Sequence, residues 1–226
     1  MSIPFTESHS YPSYSQAGED RILYYFFERR GSVQKLRYCD VGAANPAGHN
    51  NTYLFNTLGG TGVLVEADPM YLPAYQLVRP SDFVENIAVV PKRLSQSNTI
   101  TFHKMEDRGW STVSAEHAKI GTSQGKGAGQ QITVNCCDIN TILKKHFPDG
   151  KLDILSLDIE GIDFEVAMEI ELDKFRPQSI IIENSHSSRE KEDLDRYINE
   201  KNYVYFASTH INTIYVSRES LEKFKY

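Results

Sequence analysis

Cysteine is scarce in this 226-residue chain. Cys39, Cys136 and Cys137 are its three, with no C-x-x-C spacing, so neither a zinc site nor a disulfide framework is indicated. A basic excess is missing too. With 24 Lys+Arg against 30 Asp+Glu the formal charge is −6, which leaves no broad surface for neutralising phosphates and argues against a nucleic-acid partner. Long apolar runs are absent: LYYFF is far too short to cross a bilayer, and the amino end MSIPFTESHSYPSYSQ has neither a basic region nor an apolar core. The expectation is a reducing, cytoplasmic setting with no membrane partner. No repeat appears, and the length suits one domain with one core. Phosphate-binding glycine patterns are also wanting: GTSQGKG (121–127) is one residue short of a Walker loop and has Gly127 where a magnesium-binding hydroxyl is needed.

What is present is an alternation of helical and strand patterns. QAGEDRILYYFFERRG predicts a helix, within an N-terminal segment (1–35) that reads as a lid. KLRYCDVGAAN predicts a strand broken at Gly42, NNTYLFNTLGG a helix capped by Asn51, and TGVLVEADP a second strand. MYLPAYQLV continues as a helix shortened or delayed by Pro73, and DFVENIAVV reads as one third strand. Between 91 and 131 the pattern loosens into a variable region, with NTITFHKM as a strand and GTSQGKGAGQQ as a loop. QITVNCCD is a strand, INTILKKHF a helix capped by Asp138, DILSLDI and QSIIIEN two further core strands, and EKEDLDRYINEKN an amphipathic helix. YVYFAST and NTIYVSR close the chain as an antiparallel hairpin. Together these predict a doubly wound, mostly parallel seven-stranded α/β sheet covered on both faces, ending as the class I methyltransferase variant of the Rossmann architecture does.

In such a sheet, ligands bind beyond the carboxyl ends of the strands. Those ends carry Asp40, Gly42, Ala43, Ala44 and Asn45; Glu66 and Asp68; Asn86 and Ala88; Asp158 and Glu160; and Glu183, Asn184 and His186. The segments SQAGEDRIL, YCDVGAANP, NNTYLF, GVLVEADP, NIAVV, DILSLDIEGIDFEVA and RPQSIIIE, in this order, resemble the FkbM family of S-adenosylmethionine-dependent methyltransferases. The resemblance runs from about Ser15 to Glu183, and LDIEG followed by a helix and RP…IIIE is its most specific part. It implies methyl transfer, commonly to a hydroxyl of a sugar or a polyketide-derived ring, and in some members to an amide nitrogen of a peptide. This chain departs from the family in its central Gly-rich loop and in ENSH, where many members have a histidine directly after the glutamate.

A cofactor without phosphates needs only close backbone approach at Gly42 and a carboxylate such as Asp40 near its ammonium group. Glu66, about twenty-four residues after Gly42, stands near the spacing at which an acid accepts from ribose hydroxyls. An acid at a strand end is otherwise an ordinary turn or cap residue. The expected cofactor contacts are Gln16, Asp40, Gly42, Ala43, Asn45, Asn51, Thr52, Glu66, Ala67, Asp68, Asn86, Ala88 and Asp158.

Asp158 and Glu160 fall on one side if the strand runs on through Ile159, and two like charges there call for a cation, a donor or water. One reading is a site in which Asp158, Glu183 and Asn184 hold Mg²⁺ against the acceptor oxygen. The other leaves Asp158 ordering the cofactor loop and Glu160 capping the next helix. Asp158, Glu160 and His186 are the candidate catalytic groups, His186 as a base or else as a solvated loop histidine. Trp110 lines an acceptor pocket or packs in the core. The acceptor expected is a small molecule or glycan.

Overall fold

The computed structural model describes residues 12–184 and 187–224. In chain order the elements are α1 (Glu19–Arg29), β1 (Arg37–Val41), α2 (Tyr53–Thr57), β2 (Thr61–Val65), α3 (Leu72–Val78), β3 (Phe83–Glu85), β4 (Ala88–Val89), β5 (Thr99–Lys104), α4 (Ala115–Ser123), β6 (Gln130–Cys137), α5 (Ile139–His146), β7 (Ile154–Leu157), α6 (Asp163–Met168), β8 (Ser179–Glu183), α7 (Ser188–Glu200), β9 (Tyr203–Ser208), β10 (Asn212–Ser217) and α8 (Arg218–Leu221). Seven strands form one sheet in the order β3-β2-β1-β7-β8-β10-β9. All its pairings are parallel except those of β10, which lies antiparallel between β8 and β9. This is the expected doubly wound sheet with an antiparallel C-terminal hairpin.

The strands read as near-continuous apolar runs because both faces are covered. Alternate residues supply two cores. Cys39, Val63, Leu155 and Ile180 pack with α5, α6 and α7 on one face, while Tyr38, Leu64, Ile154 and Ile181 pack with Phe26 and Phe27 of α1, Phe55 of α2 and Tyr75 of α3 on the other. Strand order reverses between β1 and β7: the chain proceeds from β1 outward to β2 and β3, then returns to lay β7 on the other side. The crevice at that point is where ligands enter folds of this kind.

Three local expectations need correction. DFVENIAVV is not one strand: β3 pairs with β2, but β4 pairs with β6 in a separate three-stranded sheet of order β4-β6-β5. The break falls at Asn86, whose side-chain amide turns back to donate to the carbonyls of Glu66 and Ala67. The loop from Gly121 begins later, because α4 runs to Ser123 and β6 takes up Gln130. Asn51 is not the cap of α2. Thr52 holds that position, and the Asn50 side chain accepts from the amides of Thr52 and Tyr53 instead. The Asp138 cap stands, its carboxylate accepting from the Thr141 amide. Pro73 is tolerated within the first turn of α3, as expected of a residue lacking an N–H.

Candidate active site

A cavity of about 460 Å³ opens at the carboxyl ends of β1, β2 and β7, between the main sheet and the smaller one. Of the expected cofactor contacts, Gln16, Gly42, Asn45, Glu66, Ala67, Asp68, Ala88 and Asp158 line it. Asp40, Ala43, Asn51, Thr52 and Asn86 do not, and the reasons lie in their hydrogen bonds.

The first turn is shaped by close packing. Gly42 has φ +81°, and a Cβ there would meet the backbone oxygen of Asp158 at 1.6 Å, so the glycine is required for both conformation and space. Its amide and that of Ala43 donate to the Val65 carbonyl. Asp40 points away from the cavity and accepts from Asn50 Nδ2 at 3.0 Å and Thr52 Oγ1 at 2.8 Å. Burial raises its pKa, opposed by those bonds and by Arg79. Arg79, fully buried, pairs with Asp82 at 2.7 Å and donates to the Pro46 carbonyl, Asn50 Oδ1 and Thr52 Oγ1. Asp40, expected near a cofactor ammonium, is thus bonded with Asn50 and Thr52 beneath the 42–52 loop, which Arg79 also holds, and does not line the cavity. Asn51 likewise turns inward, donating to Ser156 Oγ.

Glu66 sits on the cavity wall with both oxygens engaged, accepting from the Ala44 amide at 2.9 Å and the Asp68 amide at 2.6 Å. Burial pushes its pKa up to about 7, against the pull of those amides. Asp68 caps the turn at Met70 and pairs with Lys104 at 2.8 Å and Arg108 at 3.4 Å. Gln16 reaches the cavity because its segment is tied down. Asp20 accepts from the Tyr14 amide and from Ser13 and Ser15, while the Tyr14 carbonyl accepts from the Asn50 amide.

The β7–α6 loop carries the carboxylates. β7 ends at Leu157, and Glu160 has φ +56°, so the pair is not brought together by strand alternation as the sequence suggests. Convergence comes from the turn: Asp158, Glu160 and Glu183 each offer an oxygen within 4.8 Å of the others. Burial holds Asp158 well above the usual carboxylate range, reinforced by the negative charges of Glu160, Asp163, Asp40 and Glu19. Glu160 does not cap α6. Asp163 organises that turn, accepting from the amides of Ile159 and Gly161. Asn184 turns from the cluster, its amide donating to the Thr209 carbonyl and its oxygen accepting from Thr213. Of the expected ligand set, Asp158 and Glu183 therefore converge, and Glu160 takes the place given to Asn184. His186 lies outside the described residues.

The opposite wall was missed in the sequence. Asp107, Arg108, Gly109, Ser111 and Val113 line the cavity from the segment between β5 and α4, and Ile87, Val89 and Phe102 add apolar surface. Its one legible mark is Trp110, which does not itself line the cavity; its ring stacks on His117 at 5.0 Å.

No curated protein matches the chain. Among solved structures, the FkbM methyltransferase of Methylobacillus flagellatus KT is 16% identical with a TM-score of 0.48, covering 81% of this chain and 44% of that one. A candidate RNA methyltransferase of Pyrococcus horikoshii is 10% identical with a TM-score of 0.42, covering 87% and 81%. The chain thus spans less than half the length of the first of these. Residues 40–205, which carry the first turn, Glu66 and the carboxylate loop, match the model of the methyltransferase FkbM domain, and the chain belongs to that family.

Proposed function

We propose that this chain transfers a methyl group from S-adenosylmethionine to a hydroxyl of a sugar or glycan. The observation that carries the reading is that one cavity at the sheet's reversal point is lined both by Glu66, suited to ribose hydroxyls, and by Asp158 and Glu160, suited to an acceptor proton. When bound, the cofactor supplies a methyl group on a cationic sulfonium. The protein's part is then mainly placement, since an in-line displacement at carbon gains most from holding the reactants in register. Gly42 allows the main chain to approach closely, and Glu66 and Gln16 fix the polar ends. Asp158 and Glu160, both on the cavity wall, are the groups that can take the hydroxyl proton as the O–C bond forms and the C–S bond breaks. Burial first, then the neighbouring acids, raises the Asp158 pKa, so Asp158 serves as base only in its ionised form.

The three converging carboxylates also have the donor type that a divalent cation accepts. Asp158, Glu160 and Glu183 would hold it, and it would acidify the acceptor hydroxyl. The test is transfer of labelled methyl to nucleotide sugars, oligosaccharides and short Asn-containing peptides, each with Mg²⁺ and with chelator. Turnover on a sugar is expected. Turnover on the peptides alone would reassign the acceptor to an amide nitrogen, and binding of S-adenosylhomocysteine with no turnover on any panel member would overturn the catalytic reading.

A further inference from the structure

The carboxylate loop of the main sheet is gripped by the smaller sheet at one place. His117, on α4, lies 3.2 Å from Glu160 (Nε2 to Oε2), and on its other side its ring stacks on Trp110 at 5.0 Å with 26° between the planes. Gly161 is the floor of this contact: a Cβ there would lie 2.7 Å from His117 Nδ1 and 2.9 Å from its Cβ. Beside this close approach, in which His117 Nε2 makes no hydrogen bond to the described residues, Thr112 Oγ1 donates to the Glu160 carbonyl at 2.5 Å, and Thr112 is completely buried. Glu160, held at φ +56°, is in a backbone region that a non-glycine residue occupies only when its surroundings impose it. The surroundings here are His117, Thr112 and Asp163. Trp110 belongs to the segment whose Arg108, Gly109 and Ser111 form the opposite wall of the cavity, so His117 stands between the two walls.

We propose that His117 is a positioning residue for the methyl acceptor. Clamped between Trp110 and Glu160, it fixes the carboxylate of Glu160 and locks the Asp158–Ile162 loop to the Asp107–Val113 segment. It does not line the cavity and so acts through Glu160; the inference rests on the reading of Glu160 as part of the acceptor site. Cofactor contacts at Gly42 and Glu66 belong to the main sheet and do not depend on it.

Two substitutions separate the roles of the ring. His117→Phe keeps an aromatic ring for Trp110 and removes the polar nitrogen that lies 3.2 Å from Glu160; His117→Gln keeps a polar N–H group beside Glu160 and removes the ring. Hydrogen exchange on the full chain needs no acceptor. In His117→Phe the amides of Ile159 and Gly161 are expected to exchange at least tenfold faster, with β1 and β2 unchanged, and in His117→Gln to stay within threefold of the native rate. Glu160→Gln is expected to speed exchange of the Trp110 and Thr112 amides in return. Native exchange at Ile159 and Gly161 in His117→Phe would overturn the clamp. On any sugar that turns over, His117→Phe should lower kcat at least tenfold and His117→Gln restore it. The Kd of S-adenosylhomocysteine should stay within threefold throughout. Parallel loss of cofactor binding and kcat would overturn positioning in favour of general destabilisation. A native protein inert toward every panel member would instead sink the proposed function, while the exchange experiment still decides the clamp.

Discussion

The two walls of the cavity are built from different kinds of interaction. The wall at the first turn is a buried network in which Arg79, Asp40, Asn50 and Thr52 satisfy one another and the loop carbonyl of Pro46. The facing wall, at 107–113, is held by main-chain bonds between His103 and Thr112 and by the bond of Thr112 to Glu160. Its rim is held by ion pairs whose basic partners reach solvent, Lys126 with Asp107 at 3.0 Å and Arg108 with the buried Asp68 at 3.4 Å. Buried charge networks are costly to break and exposed pairs contribute little. The difference teaches that the first-turn wall is fixed by buried bonds, whereas the facing wall touches the carboxylate loop through a few contacts, among them those of Thr112 and His117 with Glu160.

The largest effect that would break this contrast is at Arg79. Arg79→Met strands the buried Asp82 and should cost about 3–5 kcal/mol in urea unfolding; a loss below about 1 kcal/mol would show the first wall to be no more rigid than the second. Gly42→Ala comes next, at about 2 kcal/mol or more, since it combines positive φ with overlap on the Asp158 carbonyl. It should also abolish the thermal shift given by S-adenosylhomocysteine, and a retained shift would show that the turn can retreat. Glu66 sharpens the comparison through pH. Its folded pKa of about 7 stands above the unfolded value, so its contribution to stability is complete in acid and is lost as pH rises through 7. Affinity for S-adenosylhomocysteine should run the opposite way, weakening as pH falls through 7 because a protonated Glu66 accepts less well; Glu66→Gln should flatten both trends. Smallest is Arg108→Ala, about 0–1 kcal/mol by calorimetry, because its guanidinium is exposed and Lys104 still pairs with the buried Asp68. A larger loss would mean that the second wall is as firmly built as the first.

Much of this was legible in the sequence, unevenly. The core strands announced themselves because each is buried on two faces and so is continuously apolar, as in DILSL and SIIIE. Glu66 could be found by its distance from Gly42. Asp40 could not be placed from the sequence: a carboxylate beside the turn suits a cofactor ammonium, and only the side chains of Asn50 and Thr52 and the nearby Arg79 show where it is bonded. The second wall left little trace. Its residues mix charged, small and apolar types at irregular spacing, and what makes them a wall is the pairing of β5 with β6 across the intervening α4, a long-range fact. The split of DFVENIAVV was hidden for the same reason, since Asn86 is an ordinary strand-end residue until its side chain is seen to turn back on Glu66.

That split bears on how the chain tolerates change in length. Only Asn86 and Ile87 separate β3, at one edge of the large sheet, from β4, at one edge of the small one. A residue inserted there would have to disturb the register of one pairing or the other, Val65 with Glu85 or Ala88 with Cys136. The tip of the turn between α4 and β6, at Gln124 and Gly125, belongs to neither sheet, and a Cβ at Gly125 would meet nothing within 4 Å, so extra residues should be accommodated there.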